Sequence, residues 1–453
     1  MKALVWPNRV QFKEQAVYVC SMHRQNQINR EMIRGIILVI GIVVGLVIIN
    51  NQSQAQKNTA IYGKVTTVSG DVYTGPIKWG GKGAQKAEVF WVEVLNGTKA
   101  SNDFMKFLSK AEVKALSEKE EEGGSWLNID LGVLSIWEDK FSDTAHEFKA
   151  RFGDIKSIVP MRRDRAKITF KNGASLEIVG GNSEDIGNSI GVYDFELGEV
   201  MLSWGRVEKV EFMAAPKSQE EGFGKPIYGI VNAGRKGTFS GQIEWDSDER
   251  FLSEILDGKD RNGDKKVPFR SIQKIVKGRN GVDLTLKSGR TLFLTGSNDV
   301  NQGNRGVVIN DPNVGQVKID WRDFIELEIS DSESLRMSYD DFPSSRGLRA
   351  KVTTIQGDEH EGMIAFDLDE AWEFELLDAN DDKAEFQVVF RNIKSIIPKN
   401  YNYSMVELRN GERLLLGDHR DVSEKNAGIL VFPSKNADPV YIKWSQVDEI
   451  IFD

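Results

Sequence analysis

The sequence predicts an all-β fold built from tandem small barrels, and three observations predict it. Three stretches write one pattern around a tryptophan: VMLSWGRVEKVEF, VKIDWRDFIELEI and YIKWSQVDEIIF. Three more, FGDIKSIVP, FRSIQKIVK and FRNIKSIIP, carry the same spacing behind a phenylalanine. The period is the third observation. Gly241 to Gly362 and Phe269 to Phe390 are both 121 residues, so two independent markers agree. A fixed period of this kind is the first thing to establish, because it decides the architecture.

Aligned on Trp204, Trp321 and Trp444, the tryptophan segments place apolar residues three, six and eight positions on. These are Val207, Val210, Phe212; Phe324, Leu327, Ile329; and Val447, Ile450, Phe452. Steps of two describe a strand with one buried face, and a step of three describes one helical turn. Each segment therefore reads strand, one 3₁₀-like turn, strand, with the indole facing a core. The phenylalanine segments repeat this with Phe152, Ile155, Ile158; Phe269, Ile272, Ile275; and Phe390, Ile393, Ile396. Their eighth positions are Pro160, Lys277 and Pro398, so a shorter closing strand is expected. Every ending has an opening. GKVTTVSGDVYTGPIKW, GIVNAGRKGTFSGQIEWDSDE and AKVTTIQGDEHEGMIAFDLDE precede the phenylalanine type. AKITFKNGASLEIVG, VDLTLKSGRTLFLTG and MVELRNGERLLLG precede the tryptophan type, with tight-hairpin signals at Asn172-Gly173, Ser288-Gly289 and Asn410-Gly411.

Three double repeats follow: residues 56–213, 225–329 and 347–453, two barrels in each. The first carries a helical insert, residues 99–143. There SNDFMKFLSKAEVKALSEKEEE opens on cap-type Ser101 and Asn102 and spaces Phe104, Leu108, Ala111 and Ala115 for a helix lying across the barrels. Stretches 214–224 and 330–346, rich in Ser, Gly, Pro and acids, read as linkers.

The strand–turn–strand endings resemble the fourth strand, short helix and fifth strand of SH3-like and Sm-like barrels. The opening of repeat three, VTTIQGDEHEGMIAFDLDEAWEFELLDA, also resembles the first motif of Sm-like proteins. Matching positions are Gly357, Gly362, Phe366-Asp367 and Leu376-Leu377-Asp378; repeat two matches at Gly241, Trp245-Asp246 and Leu256-Asp257. The resemblance implies the fold over residues 61–453. In that family an Asn after the aromatic–Asp pair reads an RNA base, whereas Trp372 and Glu373 stand there here, and the family's later Arg-Gly pair is missing. Fold alone does not carry function.

The N-terminus has another character. Arg34 precedes an apolar run at 35–49, followed by polar residues with Ser53-Gln54-Ala55, which reads as a secretory signal in residues 1–55. Met32 reads as the start of that signal. The alternative is an uncleaved membrane anchor, although a span needs about 20 apolar residues. Cleavage after Ala55 leaves 53 basic against 66 acidic side chains, and removes Cys20, the sole cysteine. Such a chain has no disulfide and no thiolate chemistry, and its acidity disfavours nucleic acid.

Candidate chemistry is sparse. WDSDE offers Asp246, Asp248 and Glu249, and FDLDE offers Asp367, Asp369 and Glu370, oxygen sets that suit a cation such as Ca²⁺. The competing reading is that they end a strand and hold a turn in water. The nearby DGKDRNGD lacks the glutamate a calcium loop needs, because Ser271 stands there. Loops 185–191, 299–306 and 421–428 each hold an acid and an Asn (Asn188, Asn304, Asn426) and read as turn caps. The aromatics Trp79, Trp245, Phe366, Trp204, Trp321 and Trp444 could stack sugars, but strand alternation turns them into cores. His146, His360 and His419 do not recur between repeats, and His419 reads as part of a solvated polar cluster. No nucleophile elbow, P-loop or His/Cys metal pattern occurs, so no enzyme and no cofactor are expected. The resulting expectation is an exported binding or scaffold protein, periplasmic or secreted, with a protein or another envelope component as partner. The alternatives are an Sm-like nucleic-acid binder and a cation-stabilised glycan-binding module.

Overall fold

The computed structural model describes residues 57–80, 86–101, 104–122, 147–162, 164–181, 185–216, 222–434 and 437–453, and among these described residues there are thirty strands, ten in each repeat. The N-terminal extension, its 35–49 segment and His146 lie outside the described residues. The fold is all-β and antiparallel, with one α-helix among the described residues. Lys57–Asp453 forms one compact unit.

Repeat one contains β1 (Tyr62–Thr67), β2 (Val72–Trp79), β3 (Val94–Lys99), β4 (Glu147–Arg151) and β5 (Ile155–Pro160). Its second half contains β6 (Arg165–Phe170), β7 (Ser175–Val179), β8 (Ile190–Asp194), β9 (Gly198–Leu202) and β10 (Val207–Phe212). The strands lie in the order β4-β3-β7-β6-β5-β10-β1-β2-β8-β9.

Repeat two supplies β11 (Ile227–Asn232), β12 (Thr238–Trp245), β13 (Ile255–Asp260), β14 (Gly263–Pro268) and β15 (Ile272–Lys277). It continues with β16 (Val282–Leu286), β17 (Thr291–Leu294), β18 (Val307–Asp311), β19 (Gly315–Ile319) and β20 (Glu326–Ile329). Repeat three supplies β21 (Arg349–Thr354), β22 (Glu359–Phe366), β23 (Leu376–Asp381), β24 (Ala384–Val389) and β25 (Ile393–Pro398). It ends with β26 (Tyr403–Leu408), β27 (Arg413–Gly417), β28 (Ile429–Phe432), β29 (Val440–Ile442) and β30 (Val447–Phe452). Both use the pairings of repeat one, position for position. In repeat two the link from β13 to the β17 end is a single bridge, Lys259 with Thr295.

That order differs from one barrel per contiguous stretch. The opening hairpin β1–β2 pairs with β10 and β8, strands of the other half. In exchange, β6–β7 pairs with β5 and β3. Each repeat is thus two interlaced five-strand runs, β10-β1-β2-β8-β9 and β5-β6-β7-β3-β4, joined along β5 and β10. At that seam the two ending patterns meet residue for residue: Ile158 opposite Val210, Ile275 opposite Leu327, Ile396 opposite Ile450. Sequence alternation fixes which face a strand buries but not which strand lies beside it, so either exchange satisfies the same pattern.

The predicted turns form. Phe152–Asp154, Trp204–Arg206, Phe269–Ser271, Phe390–Asn392 and Trp444–Gln446 are single 3₁₀ turns leading into closing strands. At Trp321 the turn is looser, closed by the Asp323 and Phe324 amides donating to the Asp320 carbonyl. The phenylalanine-type closing strands do not stop sooner, since β5, β15 and β25 run six residues like β10 and β30. In every repeat the ring ending the second strand meets the tryptophan of the other half edge-on. Trp79 and Trp204 lie 6.1 Å apart, Trp245 and Trp321 5.8 Å, Phe366 and Trp444 5.9 Å. Such contacts add about 1 kcal/mol beyond the apolar area they bury, and here they tie the exchanged halves together. The six aromatics are core residues.

The helix, α1 (Lys110–Glu122), begins later than its sequence suggests. Ser109 caps it: the Glu112 amide donates to the Ser109 hydroxyl, and the Ser109 amide donates to the Glu112 carboxylate, a capping box. Phe104 and Leu108 precede the helix and pack with Leu116 onto Leu368, Leu430 and Tyr441 of repeat three. Stretch 330–346 is not a loose connector either. It crosses repeat one, burying Phe342, while the Tyr339 hydroxyl donates to the Ile155 carbonyl. Lys171 donates to the carbonyls of Tyr339 and Phe342 and sits 3.5 Å above the Tyr339 ring. The apolar spacing of Met337, Tyr339 and Phe342 was the signal hidden among the acids.

Candidate functional site

The acidic stretches after β12 and β22 occupy tight turns. Asp246 and Ser247 both take positive φ, as do Asp367 and Leu368, so each turn is of the two-residue left-handed kind that suits twisted strands. The turn returns the chain so that Glu249 pairs back with Trp245 and Glu370 with Phe366. Repeat one makes the same bridge from Trp79 to Glu88 across a longer excursion. Glu88, Glu249 and Glu370 are therefore equivalent, an equivalence invisible until the bridges are seen.

The six carboxylates proposed as cation ligands do not converge. Asp246 is fully buried; it accepts from the Arg305 amide, from Arg305 Nε at 3.3 Å and from Asn298 Nδ2. Asp248 points outward onto Arg305 Nη2 at 3.2 Å. Asp367 accepts from Arg420 Nε at 2.6 Å and from the Ala427 amide. Asp369 accepts from Lys99 of repeat one at 2.9 Å. Burial alone would lower Lys99, but Asp369, Glu375 and Glu370 hold it above the usual lysine range. Among the described residues, no group of three or more Asp, Glu, His or Cys is placed to hold a metal ion.

The two remaining acids, Glu249 and Glu370, are held up in pKa by burial and by neighbouring carboxylates, although Lys99 opposes the rise at Glu370. Glu249 is pushed up to about 8 by burial and then by Asp299, Asp248 and Asp246. Glu370 is raised by burial and by Asp369 and Asp421. Glu88 follows them, pushed up to about 8 by burial and by Asp185 and Glu93. In all three, Oε2 is buried without a hydrogen-bond partner.

The Asx loops resolve into structural caps. Asp185, Asp299 and Asp421 each accept, at 2.7 Å, the amide of a residue on the third strand: Asn96, Asp257 and Asp378. The carbonyls of Asp185 and Asp299 accept the indole N–H of Trp79 and Trp245. Asn304 and Asn426 each donate to the loop Asp carbonyl and accept the amide of Gly306 or Gly428. His419 sits in a polar cluster as expected but is only partly solvated, 35% exposed, with Nδ1 3.7 Å from Asp421. Burial opposes its protonation, yet Asp421 and Asp378 raise it above the usual histidine value.

A second acidic triplet went unnoticed in the sequence. Glu93, Glu254 and Glu375 each use Oε2 to accept two successive backbone amides, those of Val89 and Phe90, Arg250 and Phe251, Ala371 and Trp372. The other oxygen of Glu93 receives Arg250 of repeat two at 2.7 Å, and that of Glu375 receives Lys99 of repeat one at 2.6 Å. One carboxylate thus closes a turn and braces two repeats. Glu254 and Glu375 stand at one distance before Phe269 and Phe390, a signal the insert erases in repeat one.

One open cleft, about 620 Å³, lies between α1 and repeat three, edged by Leu116, Tyr401, Tyr441, Lys443 and Trp444. No protein family, curated protein or solved structure matches the chain.

Proposed function

We propose that this chain is an exported, non-catalytic binding or scaffold protein of the cell envelope that works through the strand edges and loops of its repeats. One observation carries the reading. Two sets of polar side chains that recur in all three repeats, those of Glu93 and Asp185, are spent on internal bonds, and a third, Glu88 with Glu249 and Glu370, has a buried Oε2. Part of what the repeats expose, by contrast, is individual: Phe195 and Leu197 in the first and Tyr401 in the third, beside exposed positions that recur in pairs, Val68 with Ile355 and Phe293 with Leu415. A centre copied for catalysis would recur at the surface; individual surfaces suit individual partners. The charged and apolar N-terminal pattern supports export, and the strand order within each five-strand run supports the small-barrel resemblance. No described helix is long and apolar enough to cross a membrane.

The test is fractionation of cells expressing the tagged full chain, with the N-terminus read by mass spectrometry. The expected product begins at Gln56 and is found in the periplasm or medium, where cross-linking captures an envelope protein. A full-length cytoplasmic product that binds RNA at physiological salt would replace this reading with the nucleic-acid one.

A further inference from the structure

Resting on that reading, we infer that the outer edge of β9 is a docking site for an extended strand of a partner protein, with a basic side chain opposite Glu199 and apolar ones opposite Val200 and Met201. Among the described residues β9 pairs only with β8, so its other edge leaves backbone donors and acceptors unmatched. Its counterpart in repeat two shows what such an edge receives. There β19 takes β24 alongside it, antiparallel, with Gly315 opposite Val388, Gln316 opposite Gln387, Val317 opposite Phe386 and Lys318 opposite Glu385.

The hairpin tip is covered at the same time. The Val389 amide donates to the Val314 carbonyl, and Asn392 Nδ2 donates to the Pro312 carbonyl. Val314 is 1% exposed; its equivalent, Leu197, is 67% exposed, and the neighbouring Phe195 is 71% exposed. The tip is held in shape by Asp194, whose carboxylate accepts the amides of Glu196 and Leu197. Repeat one thus presents the covered geometry of repeat two with larger apolar residues and, among the described residues, nothing over them.

Edges not meant for pairing are guarded by charge and proline. β14, which among the described residues pairs only with β13, carries Asp264, Lys265, Lys266 and Pro268. β9 reads Gly-Glu-Val-Met-Leu, with neither lysine nor proline. The same contrast argues against a second copy as occupant. Pairing β9 with a neighbour's β14 in the β19–β24 register would set Lys265 against Val200 and Asp264 against Met201. Pairing β9 with itself about Val200 would set Glu199 against Met201, and pairing it with a neighbour's β4, the other end strand of this sheet, would match Lys149 to Glu199 but set Glu147 against Met201. A foreign strand with one basic residue opposite Glu199 and apolar residues opposite Val200 and Met201 satisfies every position, by main-chain pairing for affinity and side chains for choice.

The probe is a labelled peptide with the β24 sequence AEFQVV carrying Glu385→Ile and Gln387→Lys, titrated into the full chain by fluorescence anisotropy. Saturable binding is expected, at least 10-fold tighter than for the same peptide with Glu at the Lys position. Glu199→Lys reverses that preference, and Phe195→Asp with Leu197→Asp, both at exposed positions, weakens both peptides. Binding indifferent to these changes, or no saturation, overturns the inference. So does concentration-dependent self-association lost in the Leu197→Asp variant, which would assign the edge to a second copy. The outcomes separate the two readings. A cytoplasmic chain that still selects the peptide overturns export alone, and an exported chain that ignores it overturns the edge alone.

Discussion

Glu249 shows how a single buried acid shapes stability. Its carboxyl is pushed from 4.5 to about 8, chiefly by burial, so the fold favours the protonated form. That contribution is complete below the ordinary glutamate value and is lost as pH rises towards 8. Glu249→Gln keeps the shape and removes the charge. It should leave urea unfolding nearly unchanged at pH 4 and stabilise the chain at pH 8 by roughly 1–2 kcal/mol, discounted for partial solvent access. Equal effects at both pH values would refute the account. None of this was visible beforehand: WDSDE and FDLDE look like open oxygen clusters, because a linear string does not show that Arg305, Arg420 and Lys99 arrive from elsewhere. The core rings were legible, since alternation alone turns Trp245 and Trp321 inward.

At the scale of the element, the second strand of each repeat ends on a ring whose indole N–H, where there is one, is satisfied. In repeat two Trp245 donates to the Asp299 carbonyl, which also accepts Asn304. Repeat three has Phe366 instead, and there the Asp421 carbonyl keeps its Asn426 donor. Trp245→Phe should therefore cost only about 1 kcal/mol, while Trp245→Ala, emptying a site packed by Phe269, Trp321 and Phe324, should cost about 3–5 kcal/mol. Chemical denaturation of the two variants decides it, and equal losses would contradict the packing argument. Turns and hairpins were legible because their residues carry their own geometry, as at Asn172-Gly173 and the 3₁₀ step after Trp204. The helix start was not, because Ser101 and Ser109 are both acceptable caps and only packing onto Leu430 and Tyr441 selects the later one.

Across the whole molecule, threefold duplication was legible and strand exchange was not. Both halves of a repeat write the same alternation, and no residue in β1 names β10 rather than β5 as its neighbour. The exchange makes a definite prediction. Residues 225–278 and 279–330, expressed separately, should each lack stable sheet by circular dichroism and recover it on mixing, because each lacks strands that the other supplies. A folded 225–278 fragment would show that its strands suffice alone. The pairing also sets a schedule for synthesis. Gly63 lies opposite Phe212, and Ala350 opposite Phe452, each pair joining the first strand of a repeat to its tenth. No repeat can close until its last strand has emerged, and distant partners of this kind fold slowly. Each repeat therefore stays unclosed until its tenth strand has been made.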